Sequence, residues 1–211
     1  MRKHLFARVV LLSMLTILIS AAFAGGAEDM VYTKSAMGFH DAMRKLWTDH
    51  VIYTREYIIS SLAGLPNAGA TAERLLRNQD DIGNAIKPYY GEAAGKKLTE
   101  LLKSHIMIAT EVVAAAKAND KEALAKAQGK WAANSDEIAV FLAGANPNWP
   151  PDVLKSALRM HLDLTTAEVT ARLAKDWVKD IAAFDEGYTH MLAVADVLSD
   201  GIVKQFPEKF K

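Results

Sequence analysis

The stretch LTELLKSHIMIATEVV, residues 98–113, decides the fold because its apolar side chains recur every three or four residues. On a helix with 3.6 residues per turn, this spacing collects them on one face. The face includes His105 together with Leu98, Leu101, Leu102, Ala109 and Val112. We therefore predict an amphipathic helix that carries a histidine among its buried positions.

The same spacing continues along the chain from Ser35 onward, and no run alternates with the period of two that predicts a strand. Turn and cap residues interrupt it at GLPNAG (64–69), KPYYGE (87–92), KANDKE (117–122) and GANPNWPPD (144–152). We predict an all-α, up-and-down bundle of about six helices, over residues 36–63, 68–87, 92–117, 120–143, 151–174 and about 176–203. The last break requires a turn at AKDW (174–177) with Asp176 as N-cap, and one bent helix over residues 151–205 is the alternative.

An internal repeat supports this organisation. A shift of 56 residues lays RNQDDI (77–82) on ANSDEI (133–138), and it pairs Asn78 with Asn134 and His105 with His161. We interpret the repeat as two similar helical hairpins, framed by the first and last helices.

The first 24 residues have the pattern of a cleaved signal peptide. Basic side chains accompany the apolar run VVLLSMLTILIS, and Ala22-Phe23-Ala24 offers small residues at both positions that signal peptidase requires. We predict export to the periplasm or the extracellular space, a flexible segment over residues 25–35 and one helical domain over 36–211. Retention of the apolar run as a membrane anchor is the alternative, and after cleavage we expect no stable membrane insertion.

The composition argues against several classes of function. Basic and acidic residues number 25 each, so no basic excess favours a nucleic-acid partner. The chain has no cysteine, which rules out thiolate metal sites, c-type haem and cysteine nucleophiles. The sequence has no Walker, dinucleotide-binding or G-x-S-x-G motif and no Glu-x-x-His pair of the di-iron kind. We therefore predict no nucleotide cofactor, and a non-enzymatic function is favoured over an enzymatic one.

Three histidines lie on inward faces and at one height of the predicted bundle. Residues equidistant from a turn lie level with one another, which brings His50, His105 and His161 near mid-height. The predicted metal ligands are these three histidines with Asp81 and Glu137, and the outer candidates are Glu56 and Asp185. The side chains predicted to hydrogen-bond around the layer are Asn78, Asn134, Tyr53 and Tyr57.

Imidazole and carboxylate groups in one buried layer suit a divalent transition metal such as Fe, Mn, Zn, Ni or Co. Buried carboxylates are costly unless they are paired or ligated. The predicted function is therefore metal binding, for sensing, storage or delivery. A structural or partner-binding bundle whose polar layer only sets helix register is the alternative, and a metal-dependent enzyme ranks third. The sequence identifies no protein partner.

Several segments resemble a family of uncharacterised bacterial helical proteins. They are LWTDHVIYTREYIIS (46–60), LLRNQDDIGNAIKPYYGEAAGKKLTELL (75–102), WAANSDEIAVFLAGANPNW (131–149), HLDLTTAEV (161–169) and DGIVKQFPEKF (200–210). The resemblance covers the chain from Leu46 and implies a shared helical fold. Some members carry the labels glycosyltransferase or acetylglutamate kinase, and no sugar-nucleotide or amino-acid-kinase motif in this sequence supports either label.

Overall fold

The computed structural model describes residues 32–211, so the predicted signal peptide and most of segment 25–35 lie outside the described residues. The helices are α1 (Lys34–Ala63), α2 (Ala68–Ala118), α3 (Lys121–Ala145), α4 (Pro151–Leu173) and α5 (Trp177–Gln205), followed by a 3₁₀ helix, Pro207–Phe210. Residues 32–211 contain no strand, which confirms the all-α prediction. Within the same residues, no helix is both long enough and apolar enough to span a membrane.

The structure has five α-helices over residues 32–211 rather than the six predicted, because the predicted second and third helices are both part of α2. Helical residues continue past Pro88, and the backbone leaves helical geometry at Gly91 (φ 83°, ψ 171°), a conformation open to glycine. The two arms, residues 68–90 and 92–118, approach each other closely. A Cβ added to Gly83 would lie 2.7 Å from the carbonyl oxygen of Gly95. We conclude that α2 folds back on itself without an intervening loop.

The break between α4 and α5 confirms the predicted turn and excludes one bent helix. Lys175 adopts a left-handed conformation with φ 57°. Asp176 is the N-cap of α5, and its Oδ1 accepts a hydrogen bond from the backbone N–H of Lys179 at 3.2 Å. A short polar side chain at the N-cap satisfies a donor that the first helical turn leaves free.

The helices pack around one core. Consecutive helices contact one another, and α5 also packs against α1. Arg44 in the first half of α1 binds Asp196 near the end of α5, whereas Arg55 later in α1 binds Asp180 near the start of α5. These contacts show that α1 and α5 run antiparallel.

Candidate functional site

Three buried imidazoles from three helices lie together in the core. His50 comes from α1, His105 from the second arm of α2 and His161 from α4, and the exposed fractions of the residues are 3%, 5% and 8%. The ring centroid of His161 is 5.6 Å from that of His50 and 6.2 Å from that of His105. We call these three residues the histidine cluster.

Two buried tryptophans cover the histidine cluster. Trp47, one turn before His50 on α1, meets the His50 ring edge to face with centroids 5.6 Å apart. Trp131 on α3 lies 5.2 Å from the His105 ring. Apolar rings on these sides mean that the imidazoles are shielded from water.

A side-chain hydrogen bond fixes the proton position of His105. Its Nδ1 lies 2.8 Å from Oδ1 of Asn134, and the Asn134 amide nitrogen donates to the carbonyl oxygen of Leu101 at 3.3 Å. Because an amide oxygen only accepts, His105 carries its proton on Nδ1. The other ring nitrogen, Nε2, therefore keeps its lone pair.

The hydrogen bond of the His50 ring is weaker than that of His105. The Gln79 amide nitrogen approaches His50 Nδ1 at 3.4 Å, but it already donates to Leu75 O at 2.8 Å and to Asn78 Oδ1 at 3.1 Å. An amide has two N–H groups, and both are used by the shorter contacts. The proton of His50 is therefore not held on one nitrogen by a strong bond.

The ring of His161 makes no hydrogen bond to any other residue of the described chain. The hydroxyl of Thr165 donates to the backbone carbonyl of His161 at 2.9 Å and leaves the ring untouched. The ring lines the cavities that adjoin the histidine cluster.

Burial lowers the pKa of all three imidazoles. Desolvation takes the pKa of His50 to about 3 and that of His105 to about 4, and it holds the pKa of His161 well below 6.5. Neighbouring imidazoles act in the same direction on His50 and His161, since a proton on one ring would repel a proton on the next. The histidine cluster is therefore uncharged at neutral pH.

The histidine cluster lies between two small apolar cavities, and all three histidines line both of them. One cavity has a volume of about 30 Å³ and is walled by side chains that include Ile58, Val113 and Val169. The other has a volume of about 40 Å³, with walls that include Ile82, Leu98 and Ile202. These spaces leave room for the rings to turn.

The carboxylates predicted as ligands do not join the histidine cluster. Asp81, Glu137, Glu56 and Asp185 are all exposed. The physical reason is desolvation, because an ionised carboxylate without a partner is costly in the core. In residues 32–211, no group of three or more histidine and acidic side chains is arranged closely enough to hold a metal ion as it stands.

The four residues predicted to hydrogen-bond around the layer differ in where they lie. Asn134 bonds His105 as described, and the fully buried Asn78 donates to the carbonyl oxygen of Leu46 at 3.0 Å. Tyr57 lines the cavity of about 30 Å³. Tyr53 faces away, with its ring 4.4 Å from the Arg74 guanidinium.

Sequence reasoning missed a buried ion network next to the histidine cluster. Arg55 donates to Glu168 at 2.8 Å and to Asp180 at 3.1 Å, and Arg172 donates to Asp180 at 2.6 Å. Burial raises the pKa of Glu168 to about 7, against the opposing effect of the Arg55 charge. The sequence feature that could have revealed Glu168 is its spacing, because a residue seven positions after His161 lies on the same face of α4.

No protein-family model, curated protein or solved structure matches the chain.

Proposed function

We propose that this protein is an exported, up-and-down helical bundle that binds a transition metal ion through His50, His105 and His161. The observation that carries the proposal is His161, a buried imidazole that lies between two others and has no hydrogen-bond partner in residues 32–211. The His161 ring lines three neighbouring cavities, so a ligand in this part of the core would meet the ring. Coordination of a metal ion would give a ring nitrogen a partner that the other described residues do not supply.

The chemistry of the ligands narrows the choice of metal. Three imidazoles without carboxylates form a neutral, all-nitrogen set, because the acidic candidates are exposed. Manganese prefers oxygen ligands, whereas zinc, cobalt and nickel accept imidazole readily. Three histidines with an open fourth position form a known type of zinc site. Zinc is therefore the metal that we propose, with cobalt as its spectroscopic substitute.

Metal binding requires the rings of His50 and His161 to turn, because the hydrogen bond to Asn134 holds the ring of His105. The planes of His105 and His161 are inclined by 25°, so the two rings stack instead of pointing their nitrogens at one centre. Rotation about the Cβ–Cγ bond costs little when space is available, and the two adjoining cavities supply that space. The neutral state of the rings also helps, because a metal ligand must be deprotonated.

The biological role that we propose is sensing, storage or delivery of the metal outside the cytoplasm. Reactive side chains such as a nucleophile or a general base are not distinguishable around the histidine cluster, so a metal-dependent enzyme remains third. Export itself is tested by the intact mass of the exported protein. We expect a chain that begins at Gly25, and retention of Met1 would contradict the signal-peptide prediction.

The alternative function is a bundle whose polar core only sets helix register. Hydrogen bonds between helices favour it: Asn78 donates to Leu46 O, Asn134 to Leu101 O, and His190 Nε2 to Ala157 O at 2.8 Å. Such bonds penalise a helix that slides by one turn, because the buried groups would lose their partners.

A zinc titration distinguishes the two functions. We expect metal-free protein to bind about one zinc ion and to gain about 2.7 kcal/mol of stability when free zinc is 100 times the dissociation constant. For a domain of this size, that gain corresponds to a rise in Tm of roughly 5–11 °C. His161→Ala should abolish the rise, and cobalt bound to the unmutated protein should give the absorption bands of a tetrahedral site.

The matched control is His40→Gln. His40 is a histidine outside the cluster, and its ring nitrogens lie 2.9 Å from Asp200 and 3.7 Å from Asp196. If the rise in Tm depends on His40 and not on His161, the metal proposal fails. If His161→Ala lowers Tm equally with zinc and with a chelator, the register function is correct.

A further inference from the structure

A third, smaller cavity lies beside the histidine cluster, between α1, α4 and α5. Its volume is about 20 Å³, which is room for one water molecule. The polar side chains in its wall are Thr54, His161, Thr165 and Glu168. We call this space the Thr54 cavity.

Polar groups in the wall of the Thr54 cavity lack partners. Within residues 32–211, the hydroxyl of Thr54 is buried without a hydrogen-bond partner. No hydrogen bond contributes to the pKa of the His161 ring. The hydroxyl of Thr165 is already committed to a backbone carbonyl. Glu168 uses Oε1 to accept from Arg55, which leaves Oε2 available. A buried water requires two to four polar partners, and Thr54, His161 and Glu168 supply three.

The charges around Glu168 come from three elements. Arg55 reaches it from α1, Asp180 faces it from α5, and Arg172 lies on its own helix, α4. The groups that act on the pKa of His161 are the imidazoles of His50, His105 and His190, because a proton on any of them would repel a proton on His161. Glu168 is therefore the group beside the Thr54 cavity that changes its charge near neutral pH, because burial raises its pKa to about 7 while His161 stays neutral.

We propose that the Thr54 cavity binds a water molecule that links the carboxyl group of Glu168 to the ring of His161, so that the ionisation of Glu168 sets the hydrogen bond that His161 makes. An ionised carboxylate only accepts, so the water turns an O–H toward it and presents a lone pair to a ring N–H. A protonated carboxyl group donates to the water, and the water then turns an O–H toward a ring lone pair. Glu168 is in this way a positioning residue for His161. This inference does not depend on a metal.

The test is a titration of protein labelled with ¹⁵N-histidine, followed by NMR without metal. The chemical shift of a ring nitrogen differs between one that carries a proton and one with a free lone pair. We expect the ring shifts of His161 to change with a midpoint near pH 7, although the ring itself stays uncharged. Spectra of the His161→Gln variant assign the signals. Shifts of His161 that stay constant between about pH 5.5 and 8.5 would overturn the proposal.

Two variants locate the coupling. Glu168→Gln cannot ionise and should remove the midpoint. Thr54→Val keeps the volume of the side chain and the ion network but removes a partner of the water, and it should reduce the change at His161 at least twofold. In Thr54→Val, the carboxyl carbon of Glu168 should still titrate. If the ring shifts of His161 change with pH in either variant as much as in the unmutated protein, the proposal is wrong. Thr54→Val provides this test even if Glu168→Gln does not fold.

The matched control is Asp163→Asn. Asp163 is exposed and lies two residues from His161 on α4, so its removal reports a long-range effect of charge alone. We expect the midpoint at His161 to be unchanged. If Asp163→Asn alters the titration as much as Glu168→Gln does, the coupling is general electrostatics and the water-mediated link is wrong.

Discussion

The imidazole rings of His105 and His161 stack with centroids 6.2 Å apart and planes inclined by 25°, although they belong to α2 and α4. Neither ring can take up a proton without placing a positive charge in a buried, apolar environment beside the other. The folded state therefore keeps both rings neutral at a pH where exposed histidines are charged. This difference between the folded and unfolded chains makes stability depend on pH.

We expect the free energy of unfolding of the metal-free protein to fall as the pH is lowered from about 6.5 to about 4. The pKa of His50 is about 3 and that of His105 about 4 in the folded state, whereas unfolded histidines titrate near 6.5. Between these values the unfolded chain binds more protons, so stability rises with pH. Each such histidine contributes about 1.4 kcal/mol per pH unit. Urea denaturation at about pH 7.5, 6 and 5 measures the effect.

Glu168 changes the pH dependence of stability in the opposite direction and offsets the contribution of about one histidine. Its folded pKa of about 7 lies above the unfolded value of 4.5, so the folded state binds more protons between these values. Three histidines outweigh one glutamate, and the net slope stays positive. His105→Gln should reduce the slope by about 1.4 kcal/mol per pH unit. A stability that does not change over this range would contradict the low pKa values.

A second prediction concerns the close approach of the two arms of α2. Gly83→Ala should lower the free energy of unfolding by about 1–3 kcal/mol, a usual cost of overpacking. Its Cβ would lie 1.9 Å from Oγ1 of Thr99 and 2.7 Å from the backbone oxygen of Gly95, and the backbone cannot move aside easily. The control is Gly129→Ala on α3, where the added carbon meets nothing within 4 Å. That change should stabilise the protein by up to about 1 kcal/mol, since alanine favours a helix. Equal effects of the two substitutions would contradict the packing.

The sequence predicted the helices well because their apolar spacing and turn residues are local signals. Asp176 is an example, since a capping side chain is recognisable from its neighbours alone. Gly91 is the opposite case. A glycine after Pro88 indicates a break in the helix. Whether a loop forms there or the helix folds directly back depends on the contact between Gly83 and Gly95, which is a tertiary contact.

The site was less accessible to sequence reasoning. Counting from turns brought His50, His105 and His161 to one height because antiparallel helices of known rise fix that coordinate. The rotation of each helix about its own axis is harder to predict from the sequence. Residues at the edge of a helical face, such as Asp81 and Glu137, can therefore lie toward the core or toward solvent, and here both are exposed. Glu168 was missed for a related reason. A glutamate on a helix is usually solvated, and only the fold brings Arg55 to it from another helix.

The third prediction concerns the ion network. Asp180→Asn should destabilise the protein by about 3–5 kcal/mol, because it leaves Arg55 and Arg172 partly buried without their shared carboxylate. Asp136→Asn is the matched control, since it breaks a comparable bond to Arg159 on the surface. There water and salt screen the charges, and we expect no measurable change in the urea midpoint. A loss of stability as large in Asp136→Asn would mean that burial does not determine the strength of these pairs.

The last prediction concerns Asn134, whose amide joins two helices and orients His105. Asn134→Ala removes the acceptor of the His105 Nδ1–H and the donor to Leu101 O. We expect a loss of about 1–3 kcal/mol because the buried Nδ1–H of His105 is left unpaired, whether or not metal is present. Asn84→Ala, at an exposed position of α2, should leave stability unchanged or slightly increased.

The same variant also tests how His105 would bind zinc. With Nδ1 bonded to Asn134, the nitrogen free for a metal is Nε2, and the amide holds the ring in orientation. Removal of such a supporting hydrogen bond typically weakens metal affinity by about 10–100-fold. Asn134→Ala should therefore bind zinc in this weakened range in a calorimetric titration, while Asn84→Ala binds it as the unmutated protein does. Unchanged zinc affinity in Asn134→Ala, together with the loss of stability, would show that Asn134 serves helix register alone.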